Sequence, residues 1–71
     1  MEIKLSIEEE GSGEREEVSV EVEEGSSIET VLQEAGVNPE TVIVERDRKI
    51  VPKGEEVEDN ELKVLRVISG G

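Results

Sequence analysis

Gly25-Ser26-Ser27-Ile28-Glu29-Thr30-Val31-Leu32-Gln33-Glu34-Ala35-Gly36 is the stretch in which the spacing of apolar residues changes, and that change decides the fold. Ile28, Val31, Leu32 and Ala35 recur at i, i+3, i+4 and i+7, which gathers them on one helical face. Ser26 followed three residues later by Glu29 has the spacing of a capping box, so the helix is expected to start there. Gly36 can take the left-handed conformation that closes a helix, and Pro39 stands where the helix can no longer continue. One amphipathic helix needs an apolar surface to cover, and the flanking segments supply it.

Those segments alternate with period two. Ile3, Leu5 and Ile7 interleave with Lys4, Ser6 and Glu8, and Val18, Val20 and Val22 interleave with Ser19, Glu21 and Glu23. With Gly11-Ser12-Gly13 between them they form a hairpin, whose acidic stretch from Glu8 to Glu17 is expected to fray. Beyond the helix, Thr41 to Glu45 is rich in β-branched residues, with Val42 and Val44 on one face and Ile43 on the other. Ile50-Val51 adds a short strand or turn, Val57 anchors a loop, and Leu62 to Ile68 forms the last strand. The order predicts an α+β, β-grasp arrangement, a mixed sheet of four to five strands with one helix across a face. The first and last strands are then parallel neighbours at its centre. The expected core is Ile3, Leu5, Val18, Val20, Ile28, Leu32, Val42, Ile50, Leu62 and Val64. Ile43 and Leu65 fall on the opposite face as a small apolar patch of the kind that marks a docking surface.

Composition narrows the function. The 71 residues suffice for one domain, expected over residues 1–68 with a flexible tail at 69–71. Twenty acidic against eight basic residues give a net charge of -12, which would repel a nucleic-acid phosphate backbone. The charge serves solubility, adaptation to high salt or steering toward a basic partner. No apolar run approaches the roughly 20 residues needed to span a membrane, and the N-terminus lacks the pattern of an export signal, so a cytoplasmic protein is expected. There is no His and no Cys, the usual general base and the strongest nucleophile, and no enzymatic site is expected. Glu8-Glu9-Glu10 and Asp59-Asn60-Glu61 lack the ligand spacing of a calcium loop, and Gly11-Ser12-Gly13 leads into a strand where a phosphate loop would lead into a helix.

What remains is the end of the sequence. Gly70 and Gly71 cost conformational entropy and contribute no packing, so their use would be access to a narrow channel that excludes a β-carbon. Taken alone the dipeptide is weak evidence, since Gly-Gly also ends disordered tails.

Leu62-Lys63-Val64-Leu65-Arg66-Val67-Ile68-Ser69-Gly70-Gly71, following Ile50-Val51-Pro52-Lys53, resembles the last strand and tail of the ubiquitin-like superfamily. The chain is most similar to small archaeal modifier proteins and to their relatives, the thiamine sulfur carriers, the small subunit of molybdopterin synthase and the ubiquitin-related modifier. The resemblance implies that an activating enzyme adenylates the carboxylate of Gly71 with ATP, with Gly70 as the companion needed for entry. The acyl group then becomes an isopeptide on a substrate lysine or a thiocarboxylate that donates sulfur. The implied partners are that adenylating enzyme and either target-protein lysines or a sulfur-acceptor enzyme. No bound cofactor is implied, and the carrier is expected to be a monomer. Lys4, Lys49, Lys53 and Lys63 are the available chain-acceptor lysines, and all four are expected to be exposed. Modifier, dedicated sulfur carrier and non-covalent β-grasp interaction module all remain open at the level of sequence.

Overall fold

Alternation along the first segment puts three aliphatic side chains on one side of a strand, and the computed structural model, which describes residues 1–9, 11 and 13–67, buries all three. Strands β1 (Glu2–Glu9) and β2 (Arg15–Glu21) form the hairpin, followed by helix α1 (Ile28–Glu34) and a 3-10 turn at Pro39–Thr41. Strands β3 (Val42–Arg46), β4 (Lys49–Ile50) and β5 (Glu61–Arg66) complete a sheet of order β2-β1-β5-β3-β4. β1 and β5 are parallel, with Leu5 opposite Leu62 and Ile7 opposite Val64, and the other neighbours are antiparallel. This is the expected β-grasp arrangement. The acidic hairpin stays paired as far as Glu8 opposite Arg15, and the Glu9 N–H donates to the Glu14 carbonyl at 3.0 Å.

The helix begins one residue later than the capping-box spacing implies. Ser27 is the cap, its Oγ accepting from the Thr30 N–H at 3.2 Å, while Ser26 Oγ donates to the Glu23 carbonyl at 2.6 Å. The reason lies in the loop that follows β4. The Ile28 and Glu29 N–H groups donate to the carbonyls of Glu55 and Lys53, both at 2.9 Å, so the first-turn donors are already satisfied. A Glu29 side chain folded back onto Ser26 has nothing left to complete. At the other end, the Gly36 N–H donates to Gln33 and the Val37 N–H to Leu32, a Schellman closure that needs the positive φ of Gly36, +78°. Val37, which follows, is buried.

The core is aliphatic throughout: Ile3, Leu5, Ile7, Val22, Ile28, Val31, Leu32, Val37, Val42, Val44, Val51, Val57, Leu62 and Val64. Two expectations need correction. Val18 and Val20 are only half-buried, because β2 lies at the edge of the sheet and has a neighbour on one side only. Ile50 is 71% exposed, and Val51 takes the inward position. Asp47 and Arg48, with φ of 53° and 66°, make a two-residue turn whose twist suits a hairpin. That turn sets Ile50 opposite Glu45, on the outer face, and the Val51 N–H then donates to the Val44 carbonyl at 2.8 Å. Val57, expected as a loop anchor, is fully part of the core, held by its N–H to the Ser26 carbonyl at 2.9 Å.

Truncation should separate these two classes of residue. Leu62→Ala should lower the unfolding free energy by about 2 to 5 kcal/mol, whereas Ile50→Ala should stay within about 0.5 kcal/mol of the parent. Urea denaturation of both variants checks the assignment, and a large loss at Ile50 would contradict the register of β4.

Candidate functional site

Helix α1 covers one face of the sheet and leaves the other open. The register of the strands determines what the open face presents. Lys4 stands opposite Glu61 and Ser19, Ser6 opposite Lys63 and Glu17, and Glu8 opposite Leu65 and Arg15. On β3, Ile43 stands opposite Leu65 and Glu45 opposite Lys63. Lys4 Nζ also lies 3.6 Å from Glu17 Oε2, across the diagonal. Lys4, Ser6, Glu8, Arg15, Glu17, Glu45, Glu61 and Lys63, with Arg46, Asp47, Arg48 and Leu62, line a shallow groove of about 490 Å³, which Ile43 and Leu65 do not border. Charges of opposite sign alternate across it, so it has no dominant sign.

The expected docking pair is therefore a direct cross-strand pair. Ile43 and Leu65 are each half-buried, and Ile50, which shares the outer face diagonally from Ile43, is far more exposed than either. Ile50 belongs to the expected core, and no local pattern sets its phase. Only the two-residue turn at Asp47-Arg48 moves it out, and that turn contains no Gly or Asn to announce it.

β5 delivers the chain to the end of the sheet beside the hairpin, with Arg66 opposite Glu9 on one side and Val42 on the other. Arg66, Glu9, Glu14 and Glu16 border a small hollow there, and the Val67 N–H donates to the Thr41 carbonyl at 3.0 Å. Gly70 and Gly71, the expected reactive residue and its companion, lie outside the described residues, as do Ile68 and Ser69. So does the expected tail at 69–71. Of the lysines, Lys4, Lys49 and Lys63 are exposed as expected, and Lys53 is half-buried because its segment docks against the first turn of α1. Among the described residues no group of His, Cys, Asp or Glu is arranged to hold a metal ion, and no helix is long and apolar enough to cross a membrane.

A β-grasp sheet with its last strand at the centre is the arrangement of a ubiquitin-like protein. Comparison with known proteins identifies the branch. Residues 1–68 match the family model of small archaeal modifier protein 2, and the chain belongs to that family. It is 49% identical over 55 residues to an uncharacterized protein of Archaeoglobus fulgidus, an alignment covering 78% of this chain and 81% of the relative. It is also 44% identical over 53 residues to the sulfur carrier protein TtuB of Thermus thermophilus, covering 73% and 82% respectively.

The Ile43–Leu65 pair can be weighed independently of any partner. A double-mutant cycle with alanine at both positions should give a coupling of about 0.2 to 1 kcal/mol, read from denaturant unfolding, and a coupling of zero would mean that the two side chains do not meet.

Proposed function

We propose that this chain presents Gly71 to an ATP-dependent activating enzyme, which docks on the open sheet face around Ile43, Leu65 and Ile50. The observation that carries this reading is membership of the small archaeal modifier protein 2 family, combined with Gly70-Gly71, which stand one residue beyond the matched segment. The carboxylate attacks the α-phosphate of ATP, pyrophosphate leaves, and an acyl adenylate forms. A lysine amine that displaces AMP gives an isopeptide, and a sulfur nucleophile that displaces it gives a thiocarboxylate. All of this chemistry belongs to the partner, and the chain itself is a carrier, not an enzyme. Lacking His and Cys, it offers neither the usual general base nor a thiol nucleophile.

Physical requirements divide along the chain. The last described sheet contact is at Val67, and the four residues after it can reach at most about 14 Å when extended. That is enough to thread a carboxylate into a narrow channel, and a channel that admits backbone alone explains the need for glycine at position 70. The relative named as a sulfur carrier favours the thiocarboxylate branch, and the modifier family favours the isopeptide branch. A single carrier serving both fits the two findings together. Activation by ATP suits a cytoplasmic monomer. Acceptor lysines for self-conjugation would come first from Lys4, Lys49 and Lys63, which are more accessible than Lys53.

Deleting Gly70 and Gly71 should leave the melting temperature nearly unchanged and abolish adenylation, thiocarboxylate formation and conjugation together. Gly70→Val should act in the same way through steric exclusion. Intact-mass measurement after incubation with ATP, a sulfur source and the cognate activating enzyme reads each outcome. Equal modification of the full-length and shortened chains would show that the tail is not the working part. Ile43→Lys with Leu65→Lys should weaken activation at limiting enzyme, and unchanged activation would remove the open face as the docking surface.

A further inference from the structure

β2 is the outermost strand on its side of the sheet, and the phase of its hydrogen bonds can be read from both ends. The Val22 N–H donates to the Met1 carbonyl at 2.9 Å, and the Glu9 N–H donates to the Glu14 carbonyl at 3.0 Å. In an antiparallel ladder the bonded residues alternate, so Glu14, Glu16, Val18, Val20 and Val22 turn their backbone groups toward β1. Arg15, Glu17, Ser19 and Glu21 therefore turn theirs outward, away from the sheet. Seven residues of strand carry no Pro and pair with β1 without a bulge, and the charges along the edge, Glu16, Glu17 and Glu21 against Arg15, are mostly of one sign, so they repel an acidic strand and not a basic one.

We infer that this edge accepts an extended segment of a partner protein in which aliphatic residues alternate with Lys or Arg, added as a sixth strand beside β2. Backbone pairing comes from the four outward residues. Side chains of the added strand on the inner side would lie beside Val18 and Val20, which pack on the core yet remain half-buried. Those on the outer side would meet Glu17 and Glu21. Charge selects the occupant: residues 14–24 carry six glutamates and one arginine, and the cations from other elements near them are Arg66 beside the hollow of Glu14 and Glu16, Lys4 on Glu17 and the N-terminal ammonium on Glu21. The contacts of Lys4 with Glu17 and of the N-terminal ammonium with Glu21 involve exposed carboxylates and can rearrange at little cost. A second copy of this chain fits badly. Each edge carries the same excess of glutamate, and antiparallel pairing about Ser19 sets Glu17 of one directly opposite Glu21 of the other; only the register about Val18, with Arg15 opposite Glu21, relieves part of that repulsion. This surface lies apart from Ile43 and Leu65 and makes no use of Gly70 or Gly71.

The probe is the peptide Lys-Val-Lys-Val-Lys-Val-Lys, with Lys-Pro-Lys-Pro-Lys-Pro-Lys as a control of equal charge that cannot form a strand. NMR titration of the full chain should give saturable binding of the first peptide, weakened by salt. Amide exchange should slow at Arg15, Glu17, Ser19 and Glu21 and change little at the neighbours already bonded to β1. The proline peptide should bind about fivefold more weakly or worse, the loss expected when backbone pairing is withheld. Ser19→Pro removes one outward donor and leaves the ladder to β1 intact, so it should reduce binding while the fold persists. Should that variant unfold, Glu17→Lys with Glu21→Lys keeps every backbone group and should weaken binding through charge alone. Equal binding of the two peptides, protection on the open face around Lys63 and Leu65, concentration-dependent dimerisation through β2, or no saturable binding into the millimolar range would each overturn the inference.

Discussion

The parallel pairing of β1 with β5 is the contact on which the rest of this molecule depends. It joins the two ends of the fold, so everything between Glu9 and Glu61 must cross from one side of the pair to the other. A parallel crossover is long and normally passes through a helix. α1 supplies it, and its Ile28, Val31 and Leu32 close over Leu5, Leu62 and Val64. With no aromatic residue in the chain, that closure must be completed by small side chains from loops. Val37, Val51 and Val57 do this, each fixed by a backbone hydrogen bond near its own position.

Much of this was legible because the sequence changes period where the structure changes type. Alternation at Ile3-Leu5-Ile7 and at Val42-Val44, and the helical spacing of Ile28, Val31 and Leu32, each identify a buried face without reference to the others. Failures came where a neighbour in space sets the phase. Ile50 and Val51 are both β-branched and adjacent, and nothing local says which one points inward. The register imposed by Asp47 and Arg48 decides it. The helix cap failed similarly. Ser26 and Ser27 are equivalent to a local rule, and carbonyls some 25 residues further along, on Lys53 and Glu55, favour Ser27.

The candidate site was legible in a different sense. Ile43 and Leu65 were placed on the outer face by alternation, and their direct pairing follows once β3 and β5 are antiparallel. Ile50 was missed for the register reason just given. The outward edge of β2 was not readable at all from one sequence, since which residues bond to β1 depends on hydrogen-bond phase, and side-chain alternation does not encode that phase by itself. Gly70 and Gly71 are the reverse case. Their interest comes from sequence and family resemblance, and the fold contributes only the place where β5 ends.

Charge is distributed by the same topology. On the central rows of the open face Lys4, Arg15 and Lys63 stand among Glu8, Glu17, Glu45 and Glu61, which leaves a local balance close to neutral. Residues 23–40 carry five glutamates and no cation, and residues 54–60 carry Glu55, Glu56, Glu58 and Asp59 with none of their own. The excess of negative charge is thus drawn off the open face toward the helix side, and Arg46 answers only Glu58 and Asp59 there. Long-range fields act over about a Debye length, roughly 8 Å at physiological salt, while register-matched pairs act at contact. An approaching basic surface is therefore attracted to the molecule as a whole, while the open face presents at contact a pattern of register-matched charge pairs close to neutrality. The net charge that composition gives as a single number is thus divided between two different surfaces of one small domain.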